Sequence, residues 1–167
     1  MKSILRYTAA GVALATLGFA SNASAATAQA SADAQILAAL SVTLTGGSLN
    51  FGNVAESGSG GVVTVSTAAV KSCTPGLLCT GASTVPTFHI VGAPSAPVTV
   101  SFALNTITLT GPGAATMPVD LVSSVGNATS LSAGGTADFT VGGQLTVAAA
   151  QAPGAYTGTI NVNVLYQ

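Results

Sequence analysis

The chain has 167 residues and a formal net charge of −1; 49% of its residues are hydrophobic and only 4% are charged. In soluble domains about one quarter of the residues are usually charged. A surface with so few charges suits a subunit of an assembly, where neighbouring subunits cover much of it. After residue 25 the only cation is Lys71, against Asp33, Glu56, Asp120 and Asp138. Nucleic-acid binding is therefore excluded, because a phosphate backbone requires clustered cations.

Residues 1–25 are predicted to form a signal peptide. Lys2 and Arg6 give a positive start, residues 7–20 are apolar, and Ala23-Ser24-Ala25 is a small-x-small site, so cleavage is expected between Ala25 and Ala26. The apolar run is shorter than the roughly 20 residues that span a membrane. We therefore predict export and no transmembrane segment in the mature chain.

The mature chain opens with a long alternating segment, residues 26–45. This exceeds an ordinary strand of five or six residues, so we divide it into an arm, residues 26–36, and the first strand of a single domain, residues 37–167. One face of the arm carries the small or apolar side chains of Ala28, Ala30, Ala32, Ala34 and Ile36. The pattern predicts a strand without an internal partner; the alternative is a disordered, alanine-rich leader.

Short alternating segments separated by Gly, Pro and Ser follow along the rest of the chain. After a turn at Gly46-Gly47 and a short strand or bulge at residues 49–52, we predict strands at residues 62–70, 85–91, 98–110, 116–122, 136–141 and 144–150. The strand at 98–110 is expected to divide near Asn105. Gly142-Gly143 is predicted to be a hairpin turn, and residues 126–135 a loop. Seven to eight strands without helical periodicity predict an all-β, immunoglobulin-like sandwich.

Cys73 and Cys79 are the only cysteines. An even cysteine count in an exported chain predicts a disulfide. A redox or metal-binding pair is the alternative, although five intervening residues do not match the two-residue spacing of those motifs.

Few side chains are suited to catalysis. His89 is the single histidine and lies in a strand-like run, Asp120 and Asp138 fall in separate strands, and there is no tryptophan platform for a sugar. We therefore predict no catalytic residues, no metal, no cofactor and no enzymatic activity.

The last fourteen residues, 154–167, have the strongest strand pattern. Tyr156, Ile160, Val162, Val164 and Tyr166 fall on one face, and polar residues dominate the other. A terminal strand pairs with its own sheet on one side, and its other edge needs a partner to avoid aggregation.

This ending resembles the C-terminal signature of chaperone-usher pilin subunits. A glycine stands fourteenth from the end, at Gly154, and a tyrosine next to last, at Tyr166. Together with Leu49-Asn50-Phe51-Gly52 and with Gly142-Gly143-Gln144-Leu145-Thr146-Val147, the chain is similar to a family of secreted bacterial domains of uncharacterised function related to spore coat U type pilins.

The resemblance implies a pilin-type sandwich that is completed by a strand donated from another subunit. The donor strand would be residues 26–36, and the interface for subunits and chaperone would comprise Gly154, Tyr156, Ile160, Val162, Val164 and Tyr166. Expected partners are copies of the chain or related subunits, a periplasmic chaperone and an outer-membrane usher. The expected location is a cell-surface or extracellular filament reached through the periplasm. The alternative is a self-contained secreted binding or adhesion module.

Overall fold

The structure is a computed structural model, and it describes residues 27–56 and 58–167. The predicted signal peptide and its cleavage site at Ala25 and Ala26 lie outside the described residues. The chain divides after Gln35 into two units. In the first, residues 27–35 are exposed and have no regular secondary structure. The second contains all the strands of the described residues.

Twelve strands form in the described residues, more than predicted because several have only three or four residues. They are β1 (Ser41–Gly46), β2 (Asn53–Glu56), β3 (Gly61–Val65), β4 (Lys71–Cys73), β5 (Leu77–Thr80), β6 (Thr87–Val91), β7 (Pro97–Phe102), β8 (Thr106–Thr110), β9 (Thr116–Ser123), β10 (Ala128–Ser130), β11 (Thr136–Val147) and β12 (Val162–Tyr166). A 3-10 turn, Pro112–Ala114, lies between β8 and β9. The predicted all-β, immunoglobulin-like sandwich class is confirmed.

The first sheet is built around β11. It has the order β1-β6-β11-β3-β4; in addition, β9 pairs with β11, and β8 pairs with β9. The first half of β11 pairs with β6, and its second half pairs with β3 and β9. A second sheet has the order β10-β7-β12, and β2 and β5 form a separate pair.

The core lies where alternate residues of these sheets face each other. In the central strands the side chains on one face are buried, as the pattern of β9 shows, because successive residues of a strand point to opposite faces. The fully buried side chains are Val63, Val65, Ile90, Val98, Val100, Val119 and Val141. No polar side chain among the described residues is buried, so the core is stabilised by apolar burial and packing.

The predicted hairpin turn at Gly142-Gly143 is wrong, because β11 continues straight through both glycines. A Cβ on Gly142 would lie 2.8 Å from backbone atoms of the β3–β4 connection, which crosses directly over it. A Cβ on Gly143 would lie 3.0 Å from side chains of Leu49 and Val119. The glycines therefore permit close packing inside a strand and do not mark a turn.

Two other differences concern loops. The predicted loop at residues 126–135 contains β10, which pairs with β7. The predicted last strand begins at Val162 instead of Tyr156, because residues 156–161 make only an isolated bridge, between Thr157 and Thr110, before pairing with β7 begins. The predicted division near Asn105 is confirmed, and it separates β7 and β8 into different sheets.

Candidate functional site: an open seam between the first and last strands

The edge of β12 that faces away from β7 has no strand partner in the described part of the chain. The backbone oxygen of Asn161 accepts a hydrogen bond from Ala103 N at 3.0 Å, and Gln167 N donates to Pro97 O at 3.2 Å. The odd-numbered residues of this segment thus direct their backbone groups towards β7. Because neighbouring residues of a strand direct their backbone groups to opposite sides, Val162, Val164 and Tyr166 present their N–H and C=O groups on the free edge.

β1 also has a free edge, because it pairs only with β6 in the described chain. Gly92, the residue directly after β6, donates its N–H to Gly135 O at 2.8 Å, so the even-numbered residues of β6 direct their backbone groups towards β11. The backbone groups of His89 therefore point towards β1, where Thr43 is the paired residue. It follows that Val42 and Leu44 direct their backbone groups away from β6.

We call the space between β1 and residues 156–166 the seam, and one of its ends is closed by Tyr166. The Tyr166 hydroxyl donates to Ala38 O at 2.8 Å and accepts from Ala93 N at 2.6 Å. A Cβ on Gly92 would lie 2.5 Å from this hydroxyl and 2.8 Å from Leu40 Cδ1. Backbone and side chains are thus in close contact at this end.

The other end of the seam opens into a cleft of about 540 Å³, which we call the Leu44 cleft. One wall is the chain from Leu44 to Phe51, and the opposite wall is residues 156–160. The floor consists of core side chains: Phe88, Ile107, Leu109 and Val119. The seam therefore widens from Tyr166 towards Leu44.

A second cleft, of about 590 Å³, continues beyond Tyr156 and is called the Gly154 cleft. It shares Phe51, Leu109 and Tyr156 with the Leu44 cleft, and its walls are residues 51–55 and 151–156. Gly154 has a φ of +147°, a conformation that L side chains rarely adopt. Tyr156 separates the two clefts, and its hydroxyl is held by Gln151 Nε2 and Ala152 O, each at 2.7 Å.

The two walls of the seam run in opposite directions. Ala38 lies beside Tyr166, whereas Leu44 and Gly47 line the same cleft as Thr157 and Ile160. Movement along β1 towards its C-terminus thus corresponds to movement along the last segment towards its N-terminus. A strand placed between them must be parallel to one wall and antiparallel to the other.

The apolar core is incompletely covered along this seam. Leu44 is 58% exposed, and the other side chains of the seam that pack against the core are only partly buried: Leu40, Val42, Tyr156, Ile160, Val162, Val164 and Tyr166. Elsewhere the same core contains side chains with no exposure, such as Val63 and Ile90. The seam is thus a strip of apolar surface between two free strand edges.

The structure places the sequence-predicted interface residues along one wall. Tyr156, Ile160, Val162, Val164 and Tyr166 line the seam, and Gly154 lines the neighbouring cleft. The donor residues Ala28, Ala30, Ala32, Ala34 and Ile36 are all exposed. Sequence reasoning missed the opposite wall and the floor, although the alternation that continues through Val42 and Leu44 marks part of that wall.

The predicted disulfide between Cys73 and Cys79 is present and joins β4 to β5. Lys71 supports the same region, because its Nζ donates to the carbonyl oxygens of Gly81 at 2.7 Å, Thr80 at 2.9 Å and Phe51 at 3.4 Å. These bonds connect β4 to β5 and to the start of the wall that β2 forms in the Gly154 cleft.

His89 and the carboxylates lie outside the seam's apolar lining. His89 Nδ1 contacts Asp138 Oδ1 at 2.6 Å across β6 and β11, and Asp138 is 67% exposed. Asp120 instead accepts a hydrogen bond from Thr106 Oγ1 at 2.5 Å. Within the described residues, no three His, Cys, Asp or Glu side chains are grouped so that they could hold a metal. No helix there is long and apolar enough to cross a membrane.

The fold and the seam define an all-β sandwich with a free edge on each side of an exposed strip of core. Residues 40–166 match the family described as a domain of unknown function, DUF4402, and the chain belongs to that family. No curated protein and no solved structure matches the chain. The family's description names neither spore coat proteins nor pilins, so the pilin resemblance stays a hypothesis.

Proposed function

We propose that the protein is a structural subunit of a cell-surface filament, in which the arm of one copy, residues 26–36, fills the seam of the next copy. The observation that carries this proposal is the strip of uncovered core between two unpaired strand edges. An added strand would bond to both edges and cover the apolar side chains between them, which is the chemistry of β-strand addition. Burial of that surface is the main favourable contribution.

The arm has the features that such a strand needs. Its residues 27–36 are exposed, and one face carries Ala28, Ala30, Ala32, Ala34 and Ile36. Period-two alternation allows one face to contact the seam while the polar face meets solvent. Because the arm and the seam are different surfaces, the contact is heterologous and generates an open chain of subunits.

A periplasmic chaperone and an outer-membrane usher belong to this proposal through the pilin resemblance alone. A chaperone strand would occupy the seam before assembly and keep the apolar strip from aggregating. Export by the predicted signal peptide would deliver the subunit to that compartment.

The size of the two clefts favours a second candidate, a self-contained secreted binding or adhesion module. The clefts of about 540 and 590 Å³ lie within the range of roughly 300–1,000 Å³ typical of small-molecule sites. In that case the arm would belong to its own sheet and the protein would be monomeric.

Charge placed on one face of the arm tests the filament proposal. In the mature chain, the variant Ala30→Asp/Ala32→Asp puts two carboxylates on the predicted inner face, where their desolvation opposes insertion. The matched control, Gln29→Asp/Ser31→Asp, adds the same charge to the outer face. Light scattering and electron microscopy should show filaments for the control and monomers for the inner-face variant.

Deletion of residues 26–35 separates the two candidates. A filament subunit without its arm should remain folded when an arm peptide is supplied, yet be unable to extend a chain. A self-contained module should lose a core strand and unfold. Equal assembly of both charge variants, or a wild-type mature chain that stays monomeric, would contradict the filament proposal.

A further inference from the structure

We propose that a second copy of the chain packs against one outer sheet face of the domain, and that this contact joins neighbouring filaments side by side. The face consists of the outward residues of β8, β9, the second half of β11, β3 and β4, and we call it the neutral face. The joining of filaments rests on the proposed function, but the contact itself uses neither the arm nor the seam.

One row of outward side chains crosses all five strands in register. Asp120 pairs with Thr106 on one side and with Gln144 on the other. The row continues from Gln144 to Thr64 and then to Ser72. Thr106 Oγ1 donates to Asp120 Oδ1 at 2.5 Å, and Gln144 Nε2 donates to Thr64 Oγ1 at 3.4 Å. Because these polar groups bond along the row, the row presents a flat surface.

Charge is nearly absent from the neutral face. Asp120 is the one charged residue among the outward residues of these five strands, whereas soluble protein surfaces carry about 25–35% charged residues. Lys71 of β4 pairs with the buried Val65 and so lies on the opposite face. The outer face of β6 and of the first half of β11 differs, because it carries the contact between His89 and Asp138.

Exposed apolar side chains lie along one margin of the neutral face. Leu121 N donates to Asn105 O at 2.8 Å, so Leu104 lies beside the end of β9. The β3–β4 connection, which ends at Val70, passes over Gly142, the partner of Val122. The exposed fractions of Val70, Leu104 and Val122 are 65%, 66% and 57%. A cover over this margin would remove apolar surface from water, which is favourable.

A second copy of the same face is the partner that fits. Two packed sheets lie about 10 Å apart, a distance that short outward side chains allow, and sheets of the same twist pack at about −30°. The outward residues of these strands include no cation and no aromatic ring, which disfavours an anionic or a sugar partner. The contact is isologous, since each copy contributes the same face.

The size of the face determines how strong the contact can be. Five strands about 4.8 Å apart, with three rows of outward residues about 6.7 Å apart, give a footprint of roughly 24 by 20 Å, or about 500 Å² per copy. Specific interfaces usually bury about 800 Å² per partner, and smaller ones are weak or transient. A single contact is therefore weak, whereas two filaments side by side make many contacts at once and gain avidity.

Mature chains that carry Ala30→Asp/Ala32→Asp, the substitutions expected to block strand donation, isolate this contact. Sedimentation equilibrium up to roughly millimolar concentration should show monomers and dimers. Addition of Thr108→Glu/Thr146→Glu, both on the neutral face, should weaken the dimer at least roughly thirty-fold, because the carboxylates lose hydration in the contact. The matched control, Ser101→Glu/Ala128→Glu, adds the same charge to the outer face of the second sheet and should change dimerisation less than about three-fold.

Charge reversal separates a lost contact from a lost fold. Thr108→Lys/Thr146→Lys should be monomeric alone, and an equal mixture with the glutamate variant should form mixed dimers at low salt, because opposite charges then face each other. Leu104→Asp and Leu165→Asp are a second matched pair, with exposed fractions of 66% and 65%. Leu104 borders the neutral face and Leu165 does not, so only the first substitution should weaken the dimer.

The outcomes separate this inference from the proposed function. Arm-blocked chains that stay monomeric at every concentration, or dimers that persist with Thr108→Glu/Thr146→Glu, would overturn the neutral face as an interface. Wild-type filaments that remain single in electron microscopy would overturn side-by-side joining while the filament proposal stands. Dimers of arm-blocked chains together with a wild-type chain that forms no filaments would support the contact and contradict the proposed function.

Discussion

Replacement of Tyr166 by phenylalanine should destabilise the domain through the hydroxyl alone. That hydroxyl joins Ala38 O and Ala93 N, residues that lie 128 and 73 positions away along the chain. A hydrogen bond contributes about 0.5–1.5 kcal/mol, and a buried donor left without a partner costs about 1–3 kcal/mol. Ala93 is buried and Ala38 is exposed. Water can therefore replace the lost hydroxyl at Ala38 O, and it cannot do so at Ala93 N. We expect a loss of about 2 kcal/mol in the free energy of unfolding.

Tyr156→Phe is the matched control. Its hydroxyl also makes two hydrogen bonds, but both partners, Gln151 and Ala152, lie within five residues. Loss of these local bonds should cost about 0.5–1 kcal/mol. Urea unfolding of monomeric protein, followed by far-ultraviolet circular dichroism, measures both values. Equal losses for the two variants would refute the view that Tyr166 closes the end of the seam.

Three further predictions concern the scaffold around the seam. Gly142→Ala should lower stability by about 2–3 kcal/mol, because its Cβ would lie 2.5 Å from Val65 O and 2.8 Å from two further backbone atoms. Gly143→Ala should cost about 1 kcal/mol, because its nearest contacts are longer: 3.0 Å to the Leu49 and Val119 side chains and 3.1 Å to Asp120 O. Thermal unfolding should rank the two variants in this order. Lys71→Met should cost about 1 kcal/mol and accelerate hydrogen exchange in β2 and β5 more than in β11. Replacement of both Cys73 and Cys79 by alanine should lower stability by about 2 kcal/mol in denaturant titration, and mass analysis of unreduced wild-type protein should detect no free thiol.

The sequence predicts the fold class and one wall of the seam because both depend on alternation. Val162, Val164 and Tyr166 are recognisable as one face of a strand without knowledge of their neighbours. The division of residues 98–110 is also visible, since Asn105 interrupts the apolar period. Local pattern and tertiary structure agree at these positions.

The errors arise where tertiary contacts decide the conformation. Gly142-Gly143 has the composition of a hairpin turn, but the crossing of the β3–β4 connection requires glycine in a continuous strand. The floor of the Leu44 cleft combines side chains from β6, β8 and β9, whose proximity follows from sheet order. Alternation specifies which face is buried, and it does not specify which strands are neighbours.

An isotope-mixing cross-link measurement tests most directly whether the arm of one copy fills the seam of another. A photo-reactive amino acid at Gln35, on the outer face of the arm, is placed in chains that are prepared with either ¹⁴N or ¹⁵N. Equal amounts are dissociated, mixed, reassembled and irradiated, and cross-linked peptides are identified by mass spectrometry. Strand donation between copies predicts links from the arm to residues 42–49 or 157–166, with mixed-isotope pairs as frequent as same-isotope pairs. Links to those residues that join only chains of the same isotope would mean that the arm fills its own seam, and would contradict assembly by strand donation.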